Sequence, residues 1–413
     1  MILVNIIEEH LEEADFLCQQ RRNALGDRVC NLGRLTELEE RLLAHLDGLI
    51  LAESDAWNLL KPKLTEGDRG EAFTAAFVAL DSGEAGYRDE LMKALDQAKG
   101  PVFEGITEAF RHSPSVEVEQ ILRSQLGGAN PRVRAIALDV LSFRRAALDT
   151  KQLELFLLDK DPLVVAAAVT AVGRLRVRPL VSRVEGLLGS ENPLVRSAAM
   201  RAVLLVGSGD ALAHCRTAVK DKTEDSTDAL ILIGLTGQVD DARLLVEALN
   251  QPEVGRVAMT ALGWLGYAST VDALVPLASD PKLSRLAGEA IARITGLDLE
   301  KEQLVATAPA ASKPQEGADD DFAEDPDEGL PWPDPAKLAS WWKANASRFN
   351  KTTRYRHGQP YSRQVLIDTL HHGNLPDRHH AAFELVLLDP ASELLETHAF
   401  ADRQWKDLVL LIR

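Results

Sequence analysis

Hydrophobic and polar positions repeat through the middle of the chain with a period near 30 residues. Five similar segments, each with a proline followed by an amphipathic run, begin at Asn130, Asp161, Asn192, Gln251 and Asp280. The steps between them are 31, 31, 59 and 29 residues, so the long step predicts one further unit that has lost its proline, over 225–237. A period of this length is typical of proteins built from tandem helix pairs.

Each unit is predicted to contain two helices. In four of the five units Asn or Asp precedes the proline and can cap the first helix, whose first turn accommodates proline without loss. Val165, Val169 and Val172 illustrate the apolar stripe of that helix, and a second, leucine-rich helix follows. Because one pair cannot bury its apolar face alone, the fold class is expected to be all-α, an α-solenoid of HEAT-like pairs.

The pattern changes on both sides of this block. Leu32–Leu51 is predicted to be a helix, with a capping box at Thr36 and Glu39. A C-terminal aromatic cluster is expected from Trp341, Trp342, Phe349, Tyr355 and Tyr361. The predicted organisation is an N-terminal helical segment (1–54), irregular helical repeats (55–129), regular repeats (130–300), an acidic disordered linker (301–335) and a small helical domain (336–413).

Composition narrows the class of protein. The 413 residues carry a net charge of −17, which argues against general binding of nucleic acid or anionic membranes. Three cysteines, Cys18, Cys30 and Cys215, lack metal-ligand spacing and are typical of a reducing compartment. Neither a signal-peptide pattern nor an apolar run of about 18 residues is present. We therefore expect a cytoplasmic protein that does not insert into membranes.

An arginine-rich stretch is the main candidate for binding. Between positions 132 and 201, twelve basic residues stand against seven acidic ones. About half of the arginines are expected to join neighbouring repeats, and the others to form a basic ridge for an acidic partner protein. The acidic run Asp319–Glu328 is one internal candidate for that ridge. The candidate partner-binding residues are Arg132, Arg134, Arg144, Arg145, Arg174, Arg176, Arg178, Arg183, Arg196 and Arg201.

Other chemistry is not indicated. Six of the ten histidines lie between His357 and His398, but no cysteine or HExxH spacing accompanies them. Adjacent histidines on a helix point about 100° apart, so each pair offers one ligand at most. No phosphate-binding loop, GxSxG elbow or Cys/His pairing is present. We therefore predict no catalytic residues, no metal and no cofactor.

Two terminal motifs carry a family resemblance. The first is Leu35-Thr-Glu-Leu-Glu-Glu-Arg-Leu-Leu-Ala-His-Leu-Asp-Gly-Leu, followed by Ala56-Trp57. The second comprises Tyr355–Pro360, Arg378, Ala381-Ala382, Glu384-Leu385 and Ala399–Gln404. Together with the central units, they resemble a family of uncharacterised proteobacterial HEAT-repeat proteins, with repeats of the phycobilisome-lyase type. Members are often associated with type VI secretion loci, so the resemblance implies a role linked to secretion and no established activity.

The leading hypothesis is a non-catalytic scaffold, adaptor or chaperone that binds a partner protein through the repeat surface. Two other classes stay open. One is an immunity protein that neutralises a toxin, since acidic charge often complements a basic nuclease. The other is a HEAT-like enzyme, either a chromophore lyase or a DNA-repair glycosylase, although the net charge disfavours DNA binding.

Overall fold

The computed structural model describes residues 4–207, 209–307, 325 and 327–411. This part of the chain is all-α, apart from one two-stranded hairpin. It divides into two compact units. Unit 1 comprises Met1–Ser208 and Asp368–Arg413, and unit 2 comprises Gly209–Ile367.

Unit 1 begins with thirteen helices and ends with two more. The first thirteen are α1 (Val4–Gly26), α2 (Leu32–Leu51), α3 (Glu53–Leu60), α4 (Lys63–Glu66), α5 (Arg69–Asp81), α6 (Ala85–Gln97), α7 (Gly100–His112), α8 (Glu117–Gln125), α9 (Pro131–Phe143), α10 (Thr150–Phe156), α11 (Pro162–Arg174), α12 (Val181–Gly186) and α13 (Pro193–Val206). After unit 2, the chain re-enters unit 1 within α21 (Arg363–His372) and continues into α22 (Leu375–Leu388) and α23 (Ala401–Leu411).

Unit 2 contains three further repeat pairs and a C-terminal addition. Its elements are α14 (Asp210–Asp221), α15 (Ser226–Thr236), α16 (Asp241–Ala248), α17 (Gly255–Leu265), α18 (Val271–Leu274), α19 (Ser284–Thr295), α20 (Pro335–Asn345), β1 (Tyr355–Arg356) and β2 (Gln359–Pro360). The two strands pair antiparallel, with Tyr355 opposite Pro360. The predicted unit without a proline is confirmed, because α15 occupies 226–236.

The predicted caps are correct in unit 1 and wrong in unit 2. The side chains of Asn130, Asp161 and Asn192 accept hydrogen bonds from the backbone of the first turns of α9, α11 and α13. In unit 2, α17 and α19 instead begin three residues after Pro252 and Pro281. Each of these prolines lies in a turn that precedes the helix.

The helix start predicted from Thr36 and Glu39 is also wrong. The N-cap of α2 is Asn31, whose side chain accepts a hydrogen bond from the Arg34 amide. Thr36 donates to the Leu32 carbonyl instead, and Glu39 is buried one turn further along the helix. Glu39 therefore packs inside the fold and does not cap the helix.

Successive first helices of the repeats pack directly against each other, α9 on α11 and α11 on α13 in unit 1, and α15 on α17 and α17 on α19 in unit 2. Small residues occupy the closest points. A Cβ atom added at Gly173 would lie 2.8 Å from Ala202 Cα, and one added at Gly234 would lie 2.7 Å from the Ala261 carbonyl oxygen. These distances are shorter than van der Waals contact, so glycine permits the close approach of the two backbones.

The C-terminal domain predicted over 336–413 is not a separate unit. Residues up to Ile367 belong to unit 2, and those from Asp368 belong to unit 1. Its aromatic cluster is partly confirmed, since Phe349 contacts both Trp342 and Tyr355. The cluster packs on the repeats, where the Trp342 indole N–H donates to Asp272 over 2.7 Å. Burial of each half against repeat helices therefore divides the segment.

The acidic linker predicted over 301–335 is folded at both of its described ends. Residues 308–324 and 326, with most of the acidic run, lie outside the described residues. Val305 pairs with Pro333 in an isolated β-bridge. Asp325 and Asp327 bind Arg285 and Arg256 at 2.6 Å. These two aspartates therefore bind arginines of unit 2, not the stretch at 132–201, because Arg256 and Arg285 lie beside the folded end of the linker.

No helix among the described residues is long and apolar enough to cross a membrane.

Replacing Gly173 by alanine tests the close approach. We expect Gly173→Ala to lower the free energy of unfolding by about 1–3 kcal/mol, because α13 must move away from α11. Gly186→Ala is the matched control: an added Cβ meets nothing within 4 Å and its φ of −59° suits alanine. The measurement is urea unfolding of both variants. Equal stability of the two would contradict the packing argument.

A second prediction concerns pH. Burial, reinforced by the negative charge of Asp68, raises the pKa of Asp15 to about 6. The folded state therefore binds more protons than the unfolded state between about pH 4 and pH 6, so ionisation of Asp15 costs stability as the pH rises. Asp15→Asn should raise the melting temperature at pH 7 and flatten its decline over this window. The measurement is the melting temperature of both proteins from pH 4 to pH 7. If the two melting temperatures changed with pH in parallel, the prediction would be wrong.

Candidate functional site

The ten candidate arginines do not form one ridge. Arg134 and Arg196, at equivalent positions of two repeats, hold turns within the repeat array. Arg134 binds Asp159 at 3.1 Å and donates to the Gly128 carbonyl. Arg196 donates to the carbonyl of Ser190 over 2.8 Å. These two residues therefore hold turns that connect successive repeat helices.

Three arginines hold the segment at residues 389–400, which we call the C-terminal strap. Arg176 donates through Nη1 to the carbonyls of Pro390 at 2.7 Å and Ser392 at 3.0 Å. Arg145 donates through Nη2 to the Leu394 carbonyl at 2.5 Å and also pairs with acidic side chains at 393 and 407. Arg174 pairs with Glu396 at 3.4 Å. Part of the basic stretch thus binds the protein's own backbone.

Two of the three arginines that hold the strap share a position just beyond the end of a repeat helix. Arg145 and Arg176 stand 31 residues apart, and both have left-handed backbones, with φ of 58° and 52°. Gly207 occupies the same position in the next repeat. A left-handed residue ends each helix there, at some conformational cost for arginine. The side-chain hydrogen bonds to the strap offset that cost in two repeats.

The remaining candidates are distributed over different surroundings. Arg144 donates to the Ser113 carbonyl of the preceding repeat over 2.7 Å. Arg178 is exposed, and Arg183 forms an exposed pair with Glu154. Arg132 and Arg201 line a groove that is the best candidate for partner binding in unit 1.

The groove runs across one face of α5, α7, α9, α11 and α13 and encloses about 530 Å³. Its lining residues recur every 31 positions, so equivalent faces of successive helices build it. The four rows are Arg132/Leu163/Leu194, Ala135/Ala166/Ser197, Ile136/Ala167/Ala198 and Asp139/Thr170/Arg201. Apart from Arg132 and Arg201, these residues were missed by the sequence analysis, although the repeat period itself was a signal that could have found them.

The floor of the groove is apolar and its borders are charged. Leu163 and Leu194 are 43% and 48% exposed, and alanines lie between them. Four arginines line the groove against two carboxylates, Glu104 and Asp139. Arg132 stacks on the Phe103 ring with its guanidinium 4.0 Å from the ring centroid, and it forms no ion pair within the described part of the chain. The groove therefore suits an apolar segment that carries negative charge.

Asp139 organises the border of the groove. Arg111 binds it at 2.5 Å and Arg174 binds it at 2.6 Å. Burial opposes ionisation of Asp139, but the two guanidinium groups outweigh this effect and hold its pKa below the ordinary value. The carboxylate therefore stays charged and fixes both arginines, one facing the groove and the other the strap.

The two terminal motifs that carry the family resemblance contact each other in unit 1. Glu39 receives a hydrogen bond from Arg21 Nε at 2.7 Å and one from the Ala401 amide at 2.5 Å. Arg378, fully buried, donates to Gln404 over 2.5 Å. The buried Arg21–Glu39 ion pair joins α1 and α2, and its hydrogen bonds with the Ala401 amide and the His398 carbonyl tie these helices to the C-terminal segment. Loss of one partner of the pair leaves a buried charge.

The C-terminal histidines are used in packing. His379 stacks on His398 with ring centroids 4.1 Å apart and contacts the Thr397 hydroxyl and the Leu25 carbonyl. Across the described ranges, no three His, Cys, Asp or Glu side chains are placed to hold a metal ion.

No protein-family model matches the chain, and no curated protein sequence matches it. The resemblance of the terminal motifs and the predicted α-solenoid therefore stay predictions.

The strap contacts predict a difference between two arginines. We expect Arg176→Ala to lower the free energy of unfolding by about 1–3 kcal/mol, because charged hydrogen bonds to three carbonyls are lost. Arg183→Ala should change it by less than about 0.5 kcal/mol, since that pair is exposed. Urea unfolding and amide hydrogen exchange of residues 389–394 measure both. Faster exchange in the Arg183 variant alone would contradict the assignment.

Proposed function

We propose that the protein is a non-catalytic scaffold or adaptor that binds a partner protein in the groove of unit 1. The observation that carries the proposal is the combination of exposed leucines on the floor with an unpaired cation, Arg132, on the border. Concave rows of exposed apolar side chains suit the apolar anchors of a partner segment. Among the described residues that line the groove there is no histidine or cysteine, which fits binding better than catalysis.

The partner is a segment with apolar side chains on one side and carboxylates beside them. An amphipathic helix laid into a groove makes contacts of this kind, with a few apolar anchors that supply most of the affinity. Leu163 and Leu194 face those anchors, and Arg132 faces the acidic side chains. A chaperone role would use the same surface.

A link to type VI secretion is the finer part of the proposal. It rests on the resemblance of the two terminal motifs alone, and the groove argument is independent of it. The partner is then a component or cargo of that apparatus, whose identity the following experiment establishes.

Partner capture with matched variants tests the groove. The tagged full chain is used to isolate partners from its native host, and each partner is then purified and titrated against wild type, Leu163→Asp and Leu155→Asp. We expect Leu163→Asp to weaken binding by about tenfold or more, because an anchor contact is lost. Leu155 is the control: it is 69% exposed and lies outside the groove.

Arg132→Glu provides a separate electrostatic test. Binding should weaken, and its dependence on salt should decrease, because the charge that attracts the partner is reversed. Equal affinity for all variants would place the partner elsewhere, and the absence of any specific partner at low salt would remove the scaffold proposal.

A further inference from the structure

A second cavity in unit 1 is lined by four arginines. It encloses about 440 Å³ between α1, α5, α7, the end of α9 and α22. Arg21 and Arg22 line it from α1, Arg69 from α5 and Arg111 from α7. Glu108 is the one carboxylate among its lining residues. A volume of this size is typical of sites for small molecules.

Each arginine keeps hydrogen-bond donors that no protein acceptor uses. Arg21 donates through Nε to Glu39 and through Nη2 to the His398 carbonyl. Arg69 and Arg111 each donate hydrogen bonds from two of their nitrogens to acidic side chains. Within the ranges that the structure describes, the remaining terminal nitrogen of each has no acceptor. The cavity therefore presents several donors held in place by their other contacts.

Arg22 is the most informative of the four. Its Nη1 atom is buried and has no hydrogen-bond partner within the described residues. Asp15 lies close enough to influence it electrostatically but forms no ion pair with it. Within the described residues Arg22 therefore has neither an ion pair nor an acceptor for its buried nitrogen, which is costly for a partly buried guanidinium.

Two imidazoles of the cavity are held neutral, mainly by burial. Burial and then the charges of Arg21 and Arg111 lower the pKa of His112 well below its ordinary value. Burial lowers the pKa of His379 to about 3. Both rings are therefore neutral at physiological pH. Since Arg21, Arg69 and Arg111 are paired with carboxylates, the unpaired charge on the described part of the cavity wall is that of Arg22.

We propose that this arginine cavity binds a small oxyanion, with Arg22 as its principal unshared cation. The ligand is a phosphate or a carboxylate group, since both accept the parallel N–H donors of guanidinium. This site is distinct from the partner groove, although Arg69 and Arg111 line both. Arg22 lines only the cavity, so the two proposals fail independently.

Titration of the full chain at constant ionic strength tests the proposal. Inorganic phosphate and citrate are added in separate calorimetric titrations, with sodium chloride as the reference. The variants are Arg22→Gln and the control Arg41→Gln, an exposed arginine of α2 outside the cavity. Arg22→Gln loses no side-chain hydrogen bond within the described residues, so it should fold. Its affinity should fall by about tenfold or more, as for loss of a charged hydrogen bond.

Nitrogen NMR of the imidazoles locates the bound anion. Phosphate or citrate should shift His112, His379 and His398 in wild type but leave His214, which lies in unit 2, unchanged. Saturable binding of either anion that is lost in Arg22→Gln and kept in Arg41→Gln supports the site, and the anion that binds identifies the group. Binding of neither anion, equal binding by Arg22→Gln, or uniform shifts of all histidines would overturn the proposal.

Discussion

The first helices of successive repeats approach each other closely enough that glycine and alanine stand at the contact positions. Gly173 against Ala202 in unit 1 and Gly234 against Ala261 in unit 2 are examples. This spacing brings equivalent faces of neighbouring helices into rows, and it also aligns the ends of those helices. Dense packing of small side chains therefore determines which helix faces line the groove and where the ends of the helices lie next to each other.

The aligned helix ends explain how the C-terminal part of the chain is held. In unit 1, Arg145 and Arg176 extend from helix ends to the backbone of the strap. In unit 2, the segment around β1 lies on the last carbonyls of repeat helices, with the Tyr355 amide donating to Gly266 and the His357 amide donating to Arg293. Helix ends thus bind the C-terminal part of the chain in both units, through arginine side chains in unit 1 and through carbonyls that the helices leave unsatisfied in unit 2.

Arginine side chains make many of these intramolecular contacts, which accounts for a basic stretch in a protein of strongly negative charge. Its planar guanidinium satisfies carbonyls and carboxylates together, as at Asp139, where two arginines share one carboxylate. The cations that lack such a carboxylate, Arg132 at the groove and Arg22 in the arginine cavity, are therefore the ones on which the binding proposals rest.

The sequence by itself determined the repeat period, the helices and the caps at Asn130, Asp161 and Asn192, because these depend on residues within about one turn of each other. Only the tertiary structure decided what Arg176 and Glu39 bind. Their partners stand 214 and 362 positions away. A local sequence pattern contains no information about such distant pairs. Glu39 was therefore predicted to cap a helix and Arg176 to lie on a surface ridge, whereas in the folded chain both make intramolecular contacts.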